Sequence, residues 1–340
     1  MRKAAALCIF LLCLAAPGCT RDEVSTSSQD LFAMDTFMDM TVTCADPEAA
    51  LSQAADRIGA LEAAFSVTDP DSDISRINDN AGTAVTVGED TAAVIAAALQ
   101  YGQESGGALD ITVNPVLREW GFTTGTYRVP EPERIGQLLE NVDYRRITLS
   151  GDTVQIPEQM RMDLGALAKG YTGDRILEIF RSHGAQSALV NLGGNVQTLG
   201  TKPDGSLWTV GICDPFDPAA TLGFVRVQDC AVITSGNYER YFEEDGQRYW
   251  HILDPADGCP ADNGFVSVTI IGESGLMCDA LSTALFVEGP EQGCEHWRSR
   301  EDFEMIGVTD DGRVLVTEGA ADIFVNESTM PVEVVYREDS

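Results

Sequence analysis

The chain has 340 residues, 44% of them hydrophobic, and a formal net charge of −32 at pH 7. This length and composition indicate a globular protein with a substantial core, not a low-complexity chain. The acidity argues against a nucleic-acid partner, because phosphate backbones are bound by basic surfaces. Acidic residues spread along the whole sequence favour a role in solubility, with an acidic docking surface as the alternative.

The amino terminus has the pattern of a secretion signal. Arg2 and Lys3 precede an apolar run over residues 4–16, which ends at a small-residue segment. The run is shorter than the roughly 20 residues that span a bilayer as a helix, and no later segment is long and apolar enough to span one. We therefore expect residues 1–18 to be a signal peptide and the protein to be exported.

Cys19 directly follows Gly18 at the expected cleavage point and predicts a lipidation site. Acyl chains on Cys19 would anchor the protein at the extracytoplasmic face of the cell membrane. Plain secretion is the alternative, because Ala16 and Pro17 stand where a leucine and a small residue are usual in a lipobox. The polar residues 19–30 predict a flexible tether, followed by one folded domain over residues 31–328 and a tail over 329–340.

Six cysteines remain after the signal and the lipid site: Cys44, Cys213, Cys230, Cys259, Cys278 and Cys294. An even number in an exported chain permits disulfides, although the spacings are wide and no C-x-x-C pattern occurs. Buried free thiols are the alternative, and a zinc site is not favoured.

Hydrophobic periodicity predicts an α+β protein with antiparallel and mixed sheets. Strands outnumber helices and do not alternate strictly with them, which argues against a doubly wound parallel sheet. The predicted helices cover residues 47–64, 89–104, 130–140, 167–183 and 280–287. The predicted strands cover residues 38–43, 188–190, 208–212, 223–227, 232–234, 248–252, 266–271, 304–309 and 313–317, with a hairpin over 146–156.

A helix start at residues 163–171 is a candidate phosphate site. Asp163 and Lys169 are accompanied by Gly165 and Gly170, and glycine lets a ligand approach the backbone closely. Unpaired N–H groups at a helix start bind phosphate. The alternative is that Asp163 is only the N-cap of the helix and Lys169 a solvated side chain.

A second helix start predicts a metal site. Asp279 and Thr283 are four residues apart, so both lie on one face of what we expect to be the first turn of this helix. A carboxylate, a hydroxyl and nearby carbonyl groups form a hard oxygen site that suits Mg²⁺. The alternative is an N-cap aspartate with a threonine that faces the core.

Two further polar clusters follow predicted strands. Gly193-Gly194-Asn195 is typical of a tight turn that could hold phosphate, although a Gly-Gly pair alone is not specific. His251 is the one histidine among polar groups at a strand end. Its residue type suits proton transfer or ligand contact, and a buried, satisfied imidazole is the alternative.

Taken together and in order, these motifs resemble the FAD:protein FMN transferase family, called ApbE, over about residues 31–325. The motifs are Met34-Asp35-Thr36, residues 71–78, residues 109–113 with Trp120-Gly121-Phe122, residues 163–171, Gly193-Gly194-Asn195, Thr234-Ser235-Gly236, residues 251–255 and residues 279–284. Eight motifs in the right order are far more specific than any one of them. The resemblance implies an α+β, T-fold-like architecture in two subdomains.

The resemblance also implies which residues form the site. FAD would contact Met34, Ala108, Leu109, Asp110, Asp163, Lys169, His251 and Ile252. Mg²⁺ would be held by Asp279, Thr283 and the carbonyl of Ala166, with the carbonyl of Ser282 as a further ligand. The catalytic residues would be His251 and Asp279. Asp254 and Asp163 are alternative proton acceptors.

Two positions depart from the family pattern. Thr68 stands where an aromatic residue is common, so one stacking contact with the nucleotide is missing. Asp35 replaces the glycine of the usual Met-Gly-Thr and adds a negative charge near an anionic ligand. Neither residue belongs to the expected metal site.

The activity that the resemblance implies is transfer of FMN from FAD to a threonine or serine hydroxyl of an acceptor flavoprotein subunit, with release of AMP. The acceptor would be exported or membrane-bound, for example a subunit of a redox complex. Two alternatives stay open. Water could replace the acceptor, which would make the protein an FAD pyrophosphatase, or the protein could be a lipoprotein that only binds FAD.

Overall fold

The computed structural model describes residues 24–217 and 219–338. The signal peptide predicted over residues 1–18 and the lipidation site predicted at Cys19 lie outside these residues. In the part that is described, no helix combines the length and the hydropathy needed to cross a bilayer.

The described residues form seventeen strands and eight α-helices. In chain order, the strands are β1 (Ser25–Ala33), β2 (Thr36–Cys44), β3 (Val85–Thr86), β4 (Thr148–Ser150), β5 (Thr153–Gln155), β6 (Ser187–Leu192), β7 (Asn195–Gly200), β8 (Trp208–Cys213), β9 (Thr221–Val227), β10 (Ala231–Gly236), β11 (Tyr241–Glu244), β12 (Gln247–Trp250), β13 (Phe265–Gly272), β14 (Phe303–Thr309), β15 (Val314–Thr317), β16 (Phe324–Asn326) and β17 (Val332–Val335). The helices are α1 (Pro47–Phe65), α2 (Asp73–Asp79), α3 (Glu89–Glu104), α4 (Asn114–Trp120), α5 (Pro132–Leu139), α6 (Ala168–Ser182), α7 (Gly275–Arg298) and α8 (Glu318–Ala321).

A nine-stranded sheet organises the fold, in the order β1-β2-β6-β7-β10-β13-β14-β15-β17. Neighbouring strands are antiparallel except for β15 and β17, which run parallel. Smaller antiparallel sheets join β16-β9-β8, β3-β5-β4 and β11-β12. The α+β class with antiparallel and mixed sheets, predicted from the sequence, is therefore confirmed.

Each face of the large sheet is covered by a different layer. Along β2, Met40 and Val42 are buried at alternate positions and pack with Ile58 of α1 and Phe180 of α6. Helix α7 continues this helical layer over β10 and β13, where Leu281 and Phe286 join the largest core cluster. On the opposite face, β8 and β9 pack their apolar side chains against β14 and β15.

Local capping explains where the first helix begins. The side chain of Asp46 accepts a 3.1 Å hydrogen bond from the N–H of Ala49, and Pro47 occupies the first turn. The predicted helices over residues 47–64 and 89–104 correspond to α1 and α3, the second with the same bounds. The predicted hairpin over 146–156 is β4 and β5.

Three expectations about element ends were wrong. Residues 25–30, expected to be a flexible tether, form most of β1 and pair with β2. The expected tail contains β17, which pairs with β15 at the sheet edge. Helix α7 begins at Gly275 and continues to Arg298, well beyond the predicted 280–287, with an interruption at Gly289 where φ is 79°. In each case pairing or packing with distant residues supplies stability that the local pattern does not show.

Candidate active site

The site lies where the amino-terminal ends of α6 and α7 meet. Gly170, in the first turn of α6, donates a 2.8 Å backbone hydrogen bond to Oδ2 of Asp279. Asp174 of α6 accepts hydrogen bonds from the N–H groups of Gly275 (2.7 Å) and Leu276 (3.0 Å) at the start of α7. Carboxylates at both positions satisfy backbone donors, so the two helix ends are held together by charge-assisted hydrogen bonds.

Asp279 lies deeper in its helix than the sequence indicated. Ser274 caps α7, because its hydroxyl accepts a hydrogen bond from the N–H of Met277 at 3.3 Å. Asp279 therefore belongs to the second turn and is not the N-cap, and only 4% of its surface is exposed. Burial raises the pKa of its carboxyl group, while Lys169 and the N–H of Gly170 oppose the rise.

Asp163 is not an N-cap either. Helix α6 begins at Ala168, with Leu167 at the cap position and no side-chain cap. Instead, Oδ1 of Asp163 accepts a 2.7 Å hydrogen bond from the N–H of Gly165, which closes a short turn before the helix. This turn holds residues 163–166 against the cleft.

Three hydroxyl groups line up beside Asp279. The Ser235 Oγ lies 2.9 Å from Ser282 Oγ and 3.3 Å from Thr283 Oγ1. The Ser282 hydroxyl also donates a 2.9 Å hydrogen bond to the carbonyl of Asp279, and the residue is fully buried. Thr283 is partly accessible and, unlike Ser282, lines the adjacent cavity.

The oxygen atoms at this point fit a hard divalent cation. The Gly170 N–H, which could otherwise extend the helix by bonding to the carbonyl of Ala166, donates to Asp279. The Ala166 carbonyl is therefore available as a ligand beside the Asp279 carboxylate and the Thr283 hydroxyl, all around one cavity of about 200 Å³. These are the ligand types that Mg²⁺ prefers. Among the described residues, no group of three or more His, Cys, Asp or Glu side chains is placed to hold a metal.

Most residues predicted for the site line this same cavity. They are Ala108, Leu109, Asp110, Asp163, Ala166, Lys169, His251, Ile252, Asp279 and Thr283. Ser282 lies behind it, and Met34 lines an adjoining cavity of about 300 Å³ that shares Asp163, Gly165 and Lys169 with the first. Thr68, at the position where an aromatic residue was expected, lies on the wall of that adjoining cavity.

Several predicted residues also have structural roles. Both carboxylate oxygens of Asp110 accept hydrogen bonds, from Thr112 and from the backbone N–H of Tyr144, and burial raises the pKa of this carboxyl group. Gly193 and Gly194 have φ values of 63° and 95° and form the tight turn between β6 and β7. A side chain at Gly193 would meet the hydroxyl of Thr36 at 2.1 Å. Gly193 is therefore required by the close approach of Thr36, whereas Gly194 has open space around it and is favoured by its positive φ alone.

The turn between β1 and β2 explains the Met-Asp-Thr motif. Met34 and Asp35 have φ values of 48° and 59°, a region that L-residues rarely adopt and in which glycine carries no strain. The N–H of Met34 donates a 2.6 Å hydrogen bond to Glu62 of α1, which holds the turn at the cleft. The aspartate therefore occupies a position where backbone geometry favours glycine.

His251 follows β12 and lies partly accessible at the cleft. Its Nδ1 is 3.3 Å from the carbonyl oxygen of Arg240. Burial of the ring, with Arg240 and Lys169 nearby, lowers its pKa to about 3. The imidazole is therefore neutral near pH 7, as a proton acceptor must be, but weakly basic.

Glu239 and Arg240 are site residues that the sequence analysis missed. Burial of the carboxyl group raises the pKa of Glu239 to about 7, with Asp279 adding to the rise and Lys169 and Arg240 opposing it. Glu239 lines the cleft together with Lys169, Arg240 and Asp279, and the residue as a whole is exposed. Both residues follow the Thr234-Ser235-Gly236 motif after only Asn237 and Tyr238. This closeness to the motif is the one sequence feature that could have marked them as site residues.

The fold and the site together define an α+β protein with an oxygen-lined cleft at the meeting point of two helix ends. The ApbE family model matches residues 34–306. The chain is 35% identical to the FAD:protein FMN transferase of Treponema pallidum over 296 residues, 82% of each chain, and 36% identical to that of Klebsiella pneumoniae over 275 residues, 79% of this chain and 85% of the relative. This chain belongs to the ApbE family.

Solved structures agree with this membership. The ApbE protein of Thermotoga maritima superposes with a TM-score of 0.83 at 32% identity, over 88% of this chain and 99% of that one. The flavin transferase ApbE of Vibrio cholerae superposes with a TM-score of 0.80 at 27% identity, over 88% of this chain and all of that one, 100%.

Proposed function

We propose that this protein is a magnesium-dependent FAD:protein FMN transferase. The observation that carries the proposal is the convergence of the Asp279 carboxylate, the Thr283 hydroxyl, the Ala166 carbonyl and Lys169 around one cavity. Hard oxygen ligands beside a lysine suit a pyrophosphate accompanied by a divalent cation. The names of the relatives support FAD as the donor and a protein as the acceptor.

In the proposed reaction, a threonine or serine hydroxyl of the acceptor attacks the FMN phosphorus of FAD. A bond forms between the hydroxyl oxygen and phosphorus, the bond from phosphorus to the bridging oxygen breaks, and that oxygen leaves with AMP. Bound Mg²⁺ would supply charge neutralisation along the pyrophosphate. Lys169 supplies a further positive charge at the same cavity and orients the phosphates.

The hydroxyl proton needs an acceptor at the cleft. His251 is neutral and faces the cavity, and Glu239 has a pKa of about 7, near the value that best suits a general base at neutral pH. Phosphoryl transfer depends on positioning and charge compensation more than on a strong base. We therefore assign the larger catalytic contribution to Asp279, through the cation it would hold, and a smaller one to His251.

We also propose that the protein acts outside the cytoplasm, anchored by lipid at Cys19. The signal-like segment and the cysteine at its end support this placement. The acceptor would then be an exported or membrane-bound flavoprotein subunit.

The test uses the chain from Thr20 onward, which keeps all of β1, with FAD, Mg²⁺ and a threonine-bearing acceptor protein. Flavin fluorescence is expected to stay on the denatured acceptor in a gel, and to be lost with Asp279→Ala. Asp56→Ala, a change at an exposed position of α1, is the matched control and should keep the signal. AMP release at the same rate without any acceptor would instead favour the pyrophosphatase, and intact FAD retained under all metals would favour a binding protein.

A further inference from the structure

A third cavity, of about 680 Å³, opens next to the proposed FAD site. It shares Lys169, Thr234, Glu239 and Arg240 with the cavity that contains Asp279, and Met34 and Asp35 with the one that contains Thr68. Lys169 and Arg240 thus stand where all three meet. The resemblance to the family assigns FAD contacts to Met34 and Lys169 in this third cavity, and Glu239 is a candidate proton acceptor, whereas residues 209–213 on its wall have no assigned role.

The wall of this cavity is built along one strand. Every residue from Thr209 to Cys213 of β8 lines it, including Val210 and Ile212, which face the core, and Gly211, which faces outward. Side chains alternate between the two faces of a strand, so a cavity that touches all of them runs along the strand's edge. We call this cavity the β8 groove.

The edge of β8 along this groove has no partner strand among the described residues. In its sheet, β8 is hydrogen-bonded only to β9 and stands last in the order β16-β9-β8. Natural proteins protect such edges with charged residues, because unpaired backbone groups invite another strand. Here the side chains of residues 208–213 carry no formal charge, in a chain whose net charge is −32.

Apolar side chains flank this edge. Leu207 precedes β8 with 41% of its surface exposed, and Phe216 follows it with 54% exposed. On the floor of the groove, Leu189 and Asn191 belong to the face of the large sheet that the helices leave uncovered. The groove therefore offers backbone hydrogen-bonding groups along the edge of β8 and the uncharged Leu189 and Asn191 on its floor, while Leu207 and Phe216 are exposed beside the two ends of the strand.

We infer that the β8 groove binds the acceptor protein through an extended segment, which adds to the edge of β8 and carries its threonine or serine to Lys169 and Arg240. This assignment rests on the proposed function and specifies its partner. In an in-line displacement the nucleophile enters opposite the leaving group, so the acceptor needs an opening separate from the one that holds the nucleotide. Strand addition supplies affinity through the main chain, with small pockets giving specificity.

Cys213 provides a way to block the groove without touching the proposed FAD contacts. Among the free thiols of the described residues, Cys213 is exposed, whereas Cys44, Cys278 and Cys294 are buried. Burial raises the pKa of the Cys230 thiol to about 11, which makes Cys230 less reactive toward a maleimide. A maleimide that carries a polyethylene glycol chain would fill the groove from Cys213. Cys213→Ser removes the attachment point, and Cys259→Ser removes a partly buried thiol elsewhere.

The experiment measures two reactions of the full chain in detergent. Covalent flavin is followed in gels of membranes from a deletion strain of the source organism, and AMP release from FAD is followed without acceptor. Maleimide treatment is expected to lower flavin transfer by about tenfold or more, the loss expected when a central contact of an interface is blocked. The rate of AMP release and the affinity for FAD should stay within about twofold of those of the untreated protein. If both fell together with flavin transfer, the nucleotide and the acceptor would share one site. Cys213→Ser should be resistant, and Cys259→Ser as sensitive as the unmodified sequence.

A second pair of variants tests the strand edge itself. Gly211 and Gly136 are both exposed, with φ outside the left-handed region and open space around an added side chain. Gly211→Lys places a charge on the edge and should reduce transfer but not AMP release, whereas Gly136→Lys should change neither.

The outcomes separate the two proposals. Unchanged transfer after modification of Cys213 and in Gly211→Lys would overturn the assignment of the groove, and so would parallel loss of transfer and AMP release, which would place the nucleotide there. If the untreated chain puts no flavin on any membrane protein, the proposed function itself fails before the groove is tested.

Discussion

The backbone N–H of Gly170 donates a 2.8 Å hydrogen bond to the carboxylate of Asp279, although the two residues are 109 positions apart in the chain. This contact fixes the first turn of α6 against the second turn of α7. It also leaves the Ala166 carbonyl free to face the cavity. One hydrogen bond thus positions two of the three proposed metal ligands.

The close approach at Gly170 predicts a strong effect of Gly170→Ala. An added Cβ would lie 2.2 Å from the carbonyl oxygen of Gly275 and 2.7 Å from Cβ of Asp279. We expect the free energy of unfolding to fall by about 2 kcal/mol, a typical value for forced overpacking, as measured by urea denaturation. Gly59→Ala is the control, because Gly59 lies in α1 with open space around it and should gain up to about 1 kcal/mol. Equal effects of both changes would contradict this account.

A divalent cation should stabilise the protein through Asp279. Burial raises the pKa of this carboxyl group, which means that its ionised form is destabilised. A bound cation would stabilise that ionised form. We expect Mg²⁺ to raise the melting temperature of the unchanged sequence, and the rise to grow with the logarithm of the Mg²⁺ concentration above the dissociation constant, as ligand linkage requires. Asp279→Asn should melt at the same temperature with and without Mg²⁺. A full Mg²⁺ response in this variant, equal to that of Asp56→Asn, would rule out the proposed ligand.

Glu239 should make stability depend on pH. The pKa of Glu239 is about 7 in the folded protein and near the ordinary glutamate value of 4.5 in the unfolded chain, so the folded state binds more protons between these values. Stability from this group is therefore present below the lower value and is lost as pH rises to about 7. We expect Glu239→Gln to gain stability relative to the unchanged sequence between about pH 5 and about pH 8 in urea denaturation. A pH-independent difference would show that the carboxyl group titrates normally.

Asp279→Ala should reduce activity more than His251→Ala. Loss of the cation removes charge compensation from the reacting phosphates, on which phosphoryl transfer mainly depends, whereas general-base catalysis typically contributes about 10² to 10⁴-fold. Single-turnover assays with saturating FAD would give the two rate constants directly. Similar losses, or a larger loss with His251→Ala, would reverse this ranking and make proton transfer the dominant contribution.

The pairing of β1 with β2 predicts that removing residues 25–30 destabilises the protein. Starting the chain at Leu31 removes the pairs that join residues 25–30 to β2 and leaves β2 as an exposed edge. We expect a chain that begins at Leu31 to melt lower and to aggregate in size-exclusion chromatography, compared with one that begins at Thr20. Identical behaviour of the two chains would show that β1 contributes nothing to the fold.

Local sequence patterns predicted several elements well. Helix α3 has its predicted bounds because an Ala-rich periodic segment is followed directly by Ser105, Gly106 and Gly107. Helix α7 was predicted too short, since its first turn is held by Asp174 of α6 and its apolar residues are buried on several sides. Glu239 was missed altogether, because a charged residue after a strand is normally a solvated one.

The sequence by itself determined the α+β class, the order of the motifs and the residue types of the site, because these depend on periodicity and composition along the chain. Only the tertiary structure decided that Asp279 accepts a hydrogen bond from the N–H of Gly170 and that Glu239 lies near Lys169 and Asp279. Only the tertiary structure decided, too, that β8 ends its sheet with an unpaired edge beside these residues. These relationships join residues far apart in the chain. Their energies come from burial and long-range hydrogen bonds, which no local window contains.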